Sequence, residues 1–374
     1  GEVIAGSSAE AREEAHRSYS GWFINETTGE PMDAEWWAEL FGPQAWAREE
    51  IYEALAAVIT PQEVVDALSK TGGGKAPGPS GLSRAHWLGV YRAHPDGVVA
   101  LLNRVLTTGE FEDGMLDGLL YPIAKKEGPC VKSNARPIAL LEVLTKCFTK
   151  ILSERWKRVL SEHPVLARNQ MAFVPGCDIW DNIETDSFVW EWCKANHESL
   201  HVAYLDCSKA YESVVPWLTR AALRAHKVPE GFVDMVVKLD DVQDGRRVIT
   251  EYGLTARLTF SGLAQGEVLS PMKFVYSQDP LVRWLSRYGK GVKVRMVVEG
   301  VEREVEVVSL HFCDDMNIYG GSREDLQHNL GIVAEYARVT GLQLNESKSA
   351  YMTTDAEEGA TPLESVTMSG RWTG

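Results

Sequence analysis

Two apolar segments that each run into aspartate constrain this chain most: HVAYL at 201–205, followed by Asp206, and SLHFC at 309–313, followed by Asp314-Asp315 and MNIY. Short apolar runs rich in β-branched and aromatic residues read as buried strands. The first strand ends on Asp206, and the second turns back on itself with Asp314 and Asp315 at the tip. If these strands share a sheet, three carboxylates meet at one edge. An Asp-Asp pair by itself is otherwise a solvated turn, and the second pair of the chain, Asp240-Asp241, is read that way.

Turn chemistry organises the rest. Thr60, Pro61 and Glu63 make a capping box ahead of Val64, Val65 and Leu68, which predicts a helix over 60–70 ending at Gly72–Gly74. The loop GGGKAPGPSGLS that follows is either a backbone anion site or a linker. PIALLEVLTKCFTKILSERWKRVL at 137–160 carries apolar residues at helical spacing, so a long amphipathic helix is expected after Arg136-Pro137. Two short helices parted by Val228-Pro229 are expected next, then a hairpin bending near Gly253 and another near Glu299-Gly300. Ser322 caps a helix over 323–340 that Gly341 closes. The order of strand, helices, hairpin and helix points to an α+β fold, a palm-like antiparallel sheet covered on one face by helices.

With 374 residues and 44% hydrophobic content the chain can bury a full core. No run reaches the ~20 apolar residues of a spanning helix, and the first residues show no signal-peptide pattern. Six scattered cysteines without a CxxC pair read as reduced thiols inside a cell. The net charge of −15 is the wrong sign for a free-standing nucleic-acid binder, although basic residues gathered in one groove would still serve. Residues 1–58 are acidic and contain Trp22, Trp36, Trp37 and Trp46, with helical periodicity near AREEIYEALAAVI; their role is not legible.

YLDCSKAY, GLAQGEVLSP, FCDD and GLQLNESKS stand in the order of the four palm motifs of reverse transcriptases. Upstream, GKAPGPSGLS, YPIAKK, ARPIALLEVLTKCFTKIL and QMAFVPGCDIWDNI resemble the finger motifs of the non-long-terminal-repeat retrotransposon branch, which is related to group II intron enzymes. The resemblance covers about residues 60–353. It implies a right-hand polymerase: an extension at 1–58, fingers at 59–200, and a palm at 201–353 with finger-like insertions around 227–260. Residues 354–374 would begin the region leading to the primer grip, with the thumb and flanking endonuclease segments of a polyprotein lying outside this chain.

The same resemblance implies RNA-directed addition of deoxynucleotides to a primer 3′-hydroxyl with two Mg²⁺ ions, for which Mn²⁺ could substitute. Mg²⁺ takes one or two carboxylates together with waters and substrate phosphate, so a sparse ligand set suffices. Asp206 and Asp314 would hold both ions with the backbone carbonyl of Cys207, and Asp315 would add charge. Tyr211 would be the steric gate beneath the sugar, or else a half-buried aromatic. Gln265 and Gly266 would form the nucleotide pocket, ahead of a helix opened by Ser270-Pro271. Lys348 would protonate the leaving pyrophosphate, or be an ordinary surface lysine. Lys125 and Arg136 would meet the triphosphate, a salt bridge being the competing role of each. Lys75 would touch template phosphate.

Four positions depart from the family pattern: Cys313 for Ala, Ala264 for Pro, Glu212 for Asp, and Cys177 for a basic residue. None removes a metal ligand. They are compatible with altered fidelity or with a decaying element, so a non-catalytic RNA-binding scaffold is the alternative reading, and an RNA-dependent RNA polymerase a further one. RNA template, DNA primer and dNTPs are the implied partners, with no membrane, and the implied setting is intracellular and nuclear, with a cytoplasmic ribonucleoprotein stage.

Overall fold

A computed structural model describes residues 7–20, 36–70, 76–128, 134–298 and 300–355. The N-terminal half opens with helices α1 (Ser8–Ser20) and α2 (Trp37–Phe41), a 3-10 turn over Glu49–Leu55, and helices α3 (Pro61–Lys70), α4 (Arg84–Ala93) and α5 (Pro95–Thr108). Strands β1 (Gly118–Ala124) and β2 (Ala135–Leu141) follow, then helices α6 (Val143–Glu162) and α7 (Ile179–Asn196). Strands β3 (His201–Leu205) and β4 (Cys207–Ser208) lead into helices α8 (Ala210–Ser213), α9 (Pro216–Ala225) and α10 (Glu230–Lys238). Next come β5 (Asp241–Thr250), β6 (Gly253–Leu254), β7 (Leu258–Ser261) and helix α11 (Ser270–Tyr288). Strands β8 (Val292–Val298), β9 (Val301–Val307), β10 (Ser309–Phe312) and β11 (Asp315–Gly320) precede α12 (Arg323–Thr340), β12 (Gln343–Leu344) and β13 (Ala350–Thr353).

The fold is α+β, with the fingers and palm arrangement that the motifs imply. One sheet runs β2-β1-β5-β6 with β7 also on β5, and a second, four-stranded sheet runs β10-β11-β3-β13. Apolar residues of α9, α11 and α12 cover the second sheet through a core that includes Ala203, Phe274, Ile318, Leu330 and Tyr336. Trp37, Leu40 and Phe41 of α2 join that core, which gives part of the N-terminal region a packing role. A separate core surrounds α6, drawing in Tyr52, Val64, Leu102, Phe232 and Tyr276.

The capping box forms as expected: Thr60 N–H donates to Glu63 Oε2 at 2.9 Å, and Glu63 N–H to Thr60 Oγ1 at 3.3 Å. Arg155 of α6 then grips Glu63 from the core, Nε to Oε1 at 2.7 Å, while donating to the carbonyls of Leu55 and Val58 at 3.2 and 3.1 Å. Against the upward push of burial, Arg155 and Thr60 hold the Glu63 carboxyl down at about 2.

Three expectations are corrected. The helix expected over 137–160 begins only at Val143, because 135–141 is strand β2, antiparallel to β1 with Pro137 opposite Pro122. An edge strand tolerates proline, and alternate burial of Ala135, Pro137, Ala139 and Leu141 shows the two-residue period. The helix is amphipathic as expected, with Lys146, Lys150, Glu154 and Lys157 on its outer stripe and Phe148, Leu152, Arg155 and Trp156 buried. Second, Asp240 is no solvated turn. It is 1% exposed and paired with the fully buried Lys273, which also meets Glu267 at 3.2 Å. Third, the 76–82 part of the glycine-rich loop is neither linker nor open anion site, since Ser80 donates from N and Oγ to Glu142 at 2.8 and 2.6 Å. Gly78 lies so close to this anchor that a Cβ would stand 2.7 Å from Glu142 N. Gly72–Gly74 and Lys75 lie outside the described residues, as do Trp22, Cys130 and 356–374. The five cysteines that are described are free, and among described residues no helix is long and apolar enough to cross a membrane.

Candidate active site

The pairing of β3 with β11 decides where the aspartates go. Leu205 stands opposite Met316 in that antiparallel ladder, so the next residues outward are Asp206 on one strand and Asp315 on the other. Phe312 pairs with Asp315 to close the β10–β11 hairpin, which leaves Cys313-Asp314 as its two-residue loop. Cys313 takes φ 59°, a backbone region uncommon outside glycine that two-residue hairpin loops require. Strain of this kind persists only where surrounding contacts impose it. Here Cys313 N–H donates to the buried Gln170 at 3.1 Å.

Asp206 is held from the other side by the turn after β12. Leu344 pairs with Cys207, Asn345 N–H donates to the Asp206 carbonyl at 2.7 Å, and Asn345 Nδ2 donates to Asp206 Oδ2 at 2.9 Å. Lys348 Nζ lies 3.2 Å from the same oxygen. Its side chain is 60% exposed, so the ammonium is tethered at the site yet free to swing. Lys348, read either as a proton donor or as an ordinary surface lysine, is an exposed lysine ion-paired with Asp206.

Electrostatics register the neighbouring carboxylates at Asp315. Burial raises the Asp315 carboxyl, and Asp314 and Asp206 raise it further against Lys348. Burial followed by Asp314, Asp206 and Asp315 likewise pushes up the Cys207 thiol. Uncompensated negative charge beside a single lysine suits a divalent cation. Among the described residues no group of three or more His, Cys, Asp or Glu side chains is placed to hold a metal ion; Mg²⁺ takes only one or two protein carboxylates and completes its shell with water and substrate oxygens.

The remaining candidates lie on α8, in the 264–267 loop and on the β1–β2 hairpin. Tyr211 sits on α8, its ring stacked on Phe274 at 5.1 Å and its hydroxyl 3.6 Å from Cys313 Sγ. α8 starts from Lys209 at φ 51°, a second left-handed residue beside the site. Gln265 Nε2 donates to Glu212 Oε1 at 2.8 Å, while its backbone carbonyl accepts from Ala139 N–H at 2.7 Å. Gly266 presses on the same strand, where a Cβ would stand 2.9 Å from the Ala139 carbonyl oxygen. Strand β2 is therefore joined to the 264–267 loop. Arg136 opposes Ile123 near the turn end of the β1–β2 hairpin, and Lys125 N–H donates to the Asn134 carbonyl at 2.8 Å just beyond it. Lys125, Lys209 and Arg136 all act on the buried Glu212 carboxyl, which joins the two basic residues of the β1–β2 hairpin to α8 electrostatically.

Asn345, Gln170 and Glu212 had not been singled out as site residues. Asn345 stands three residues before Lys348 in NESKS, and its side-chain oxygen accepts from Ser347 Oγ at 2.8 Å.

Residues 123–370 match the family described as "Reverse transcriptase (RNA-dependent DNA polymerase)". The chain is 25% identical over 274 residues to the "Retrovirus-related Pol polyprotein from type-1 retrotransposable element R2" of Nasonia vitripennis, covering 73% of this chain and 25% of that protein. It is 26% identical over 299 residues to the type-2 element R2DM polyprotein of Drosophila melanogaster, covering 79% and 26% respectively. The "Transposon TX1 uncharacterized 149 kDa protein" of Xenopus laevis is 26% identical over 344 residues, 91% of this chain and 25% of that one. The chain thus spans about a quarter of the length of these relatives. Among solved structures, apo telomerase from Candida tropicalis superimposes with a TM-score of 0.46 at 12% identity, covering 66% of this chain and 52% of that one.

Proposed function

Because the chain belongs to the reverse transcriptase family, on its non-long-terminal-repeat retrotransposon branch, we propose that it carries the nucleotidyl-transfer site of an RNA-directed DNA polymerase. One observation carries the reading: the pairing of β3 with β11 brings Asp206 and Asp315 to adjacent strand ends with Asp314 in the hairpin loop beside them, close enough that Asp314 and Asp206 both raise the Asp315 carboxyl.

Members of the family use divalent metal ions, and two Mg²⁺ bound here would neutralise the attacking and leaving oxygens of an in-line phosphoryl transfer. Asp206 and Asp314 would hold the metal with the Cys207 carbonyl, leaving Asp315 as a flanking charge. Asn345 fixes the orientation of Asp206 by donating to one carboxylate oxygen. The sugar of the incoming nucleotide would rest on Tyr211, which Phe274 keeps from turning aside and whose ring excludes a 2′-hydroxyl. Lys125 and Arg136 supply positive charge to the triphosphate from the finger strands, Arg136 with a planar fork suited to phosphate oxygens. Lys348, already at Asp206, is the group within reach to give a proton to the leaving pyrophosphate. Lys75 is retained as a template-phosphate contact on sequence grounds alone. An RNA template, a DNA primer and dNTPs are the substrates of this reading, and the nucleus its setting.

The test is primer extension by the full-length parent on a primed RNA template. Extension with dNTPs that requires Mg²⁺ and stops on chelation supports the reading. Equal use of NTPs, or extension without divalent metal, contradicts it.

A further inference from the structure

We propose that Glu212 is a positioning residue for nucleotide selection. By holding the amide nitrogen of Gln265, it turns the carbonyl oxygen of that side chain toward the cleft as an acceptor for the 3′-hydroxyl of the incoming deoxynucleotide. The inference rests on the polymerase reading above.

Gln265 Nε2 donates to Glu212 Oε1 at 2.8 Å. An ionised carboxylate only accepts, and a carboxylic acid still accepts through its carbonyl oxygen, so the NH₂ of Gln265 faces Glu212 in either state. Oε1 of Gln265 is then directed away from Glu212.

Both residues are fixed by backbone contacts. The Gln265 carbonyl accepts from Ala139 N–H at 2.7 Å, and Leu263 N–H donates to the Tyr211 carbonyl at 3.1 Å. Gly262 packs on the Glu212 backbone so closely that a Cβ would stand 2.9 Å from its carbonyl oxygen. The rotamer of Gln265 therefore depends on its one side-chain tie rather than on loop motion.

Glu212 is an expensive residue to keep at this place. It is 6% exposed, and its second oxygen, Oε2, is buried without a hydrogen-bond partner. Burial raises its carboxyl above the usual carboxylate range, against Lys125, Lys209 and Arg136. A half-satisfied buried carboxyl subtracts from stability, so fold maintenance does not explain it. Its bond to Gln265 does. Tyr211, the preceding residue, places the sugar next to this pair, and a deoxynucleotide carries a single free hydroxyl on that sugar, the 3′-OH.

The experiment compares incorporation of dTTP and 2′,3′-dideoxy-TTP by the full-length parent on a primed RNA template, for wild type, E212A, E212Q, Q265A and the E212A/Q265A double variant. The readout is the ratio of kcat/KM for the two nucleotides, which a smaller folded fraction leaves unchanged. E212A is expected to lower the ratio about fivefold, as for one lost hydrogen bond, while E212Q, whose amide oxygen still accepts from Gln265, stays within about twofold of wild type. Q265A is expected to match E212A, and the double variant to go no further. Where E212A does not fold, Glu212→Leu against E212Q makes the same comparison. A ratio unchanged in E212A or Glu212→Leu, or full additivity in the double variant, overturns the proposal. A wild type that extends primers without preferring the 3′-hydroxyl overturns this inference alone, whereas a wild type that extends no primer removes the polymerase reading and the inference with it.

Discussion

Gln170 grips Cys313 at both of its backbone polar groups: Oε1 accepts from Cys313 N–H at 3.1 Å and Nε2 donates to the Cys313 carbonyl at 3.4 Å. The same Oε1 accepts from Ala172 N–H at 3.0 Å, so one buried amide ties the loop after α6 to the tip that carries Asp314. Removing it strands several backbone groups and releases a residue held at φ 59°. Gln170→Ala is expected to cost about 1–3 kcal/mol of stability, read by denaturant unfolding. It should also slow extension about tenfold or more, because small displacements of reacting groups are costly. Unchanged kinetics would show that the hairpin needs no such clamp.

Glu63 gives the first pH dependence. Its folded carboxyl lies at about 2, below its ordinary value of 4.5, so its contribution is present above 4.5 and lost as pH falls through about 2. Stability measured by thermal unfolding should therefore drop across that window. Glu63→Gln should flatten this part of the profile and cost on the order of 2 kcal/mol at neutral pH, since Arg155 is left buried without its anion.

Lys348 and Asn345 separate by what they do for Asp206. Asn345→Ala removes a fixed donor and is expected to lower the extension rate about tenfold, as for one charge-assisted hydrogen bond. Lys348→Ala removes a proton donor and is expected to lower it about 100-fold, with Lys348→Arg recovering charge but little of the rate. Single-turnover extension distinguishes the two. Full rescue by arginine would reduce Lys348 to a counter-charge.

Lys273 neutralises Asp240 and Glu267 where all three are buried. Lys273→Met is expected to destabilise the chain by about 3–5 kcal/mol in denaturant unfolding, because it leaves two carboxyls uncompensated in the core. Replacing Lys273 and Asp240 together by apolar residues should recover part of that loss, which a double-mutant comparison measures.

Local signals carried the elements that recur in period and end in caps. The strand 201–205, the hairpin around Asp314 and the helix from Ser322 to Gly341 stand where the sequence places them. PIALLEVL did not resolve, because an unbroken apolar run suits a buried strand as well as a buried helix, and only pairing with β1 chooses. Polar residues whose meaning lies in a distant partner were the least legible. Gln170 acts on a residue 143 positions away, Asn345 on one 139 away, and Glu212 on one 53 away. Asp240 looked like a turn because Lys273, 33 positions later, is invisible in local composition. Tyr211, Gln265, Arg136 and Lys125 were accessible through motif order alone, and their convergence around Glu212 required the fold.

The most direct measurement is primer extension on an RNA template by the full-length parent carrying Asp314→Ala or Asp206→Asn, each matched to wild type for folded fraction by unfolding. Loss of extension by about 10³-fold or more, with primer–template affinity retained, is expected if these carboxylates carry the transfer chemistry. Extension at the wild-type rate by either variant would show that the transfer site lies elsewhere.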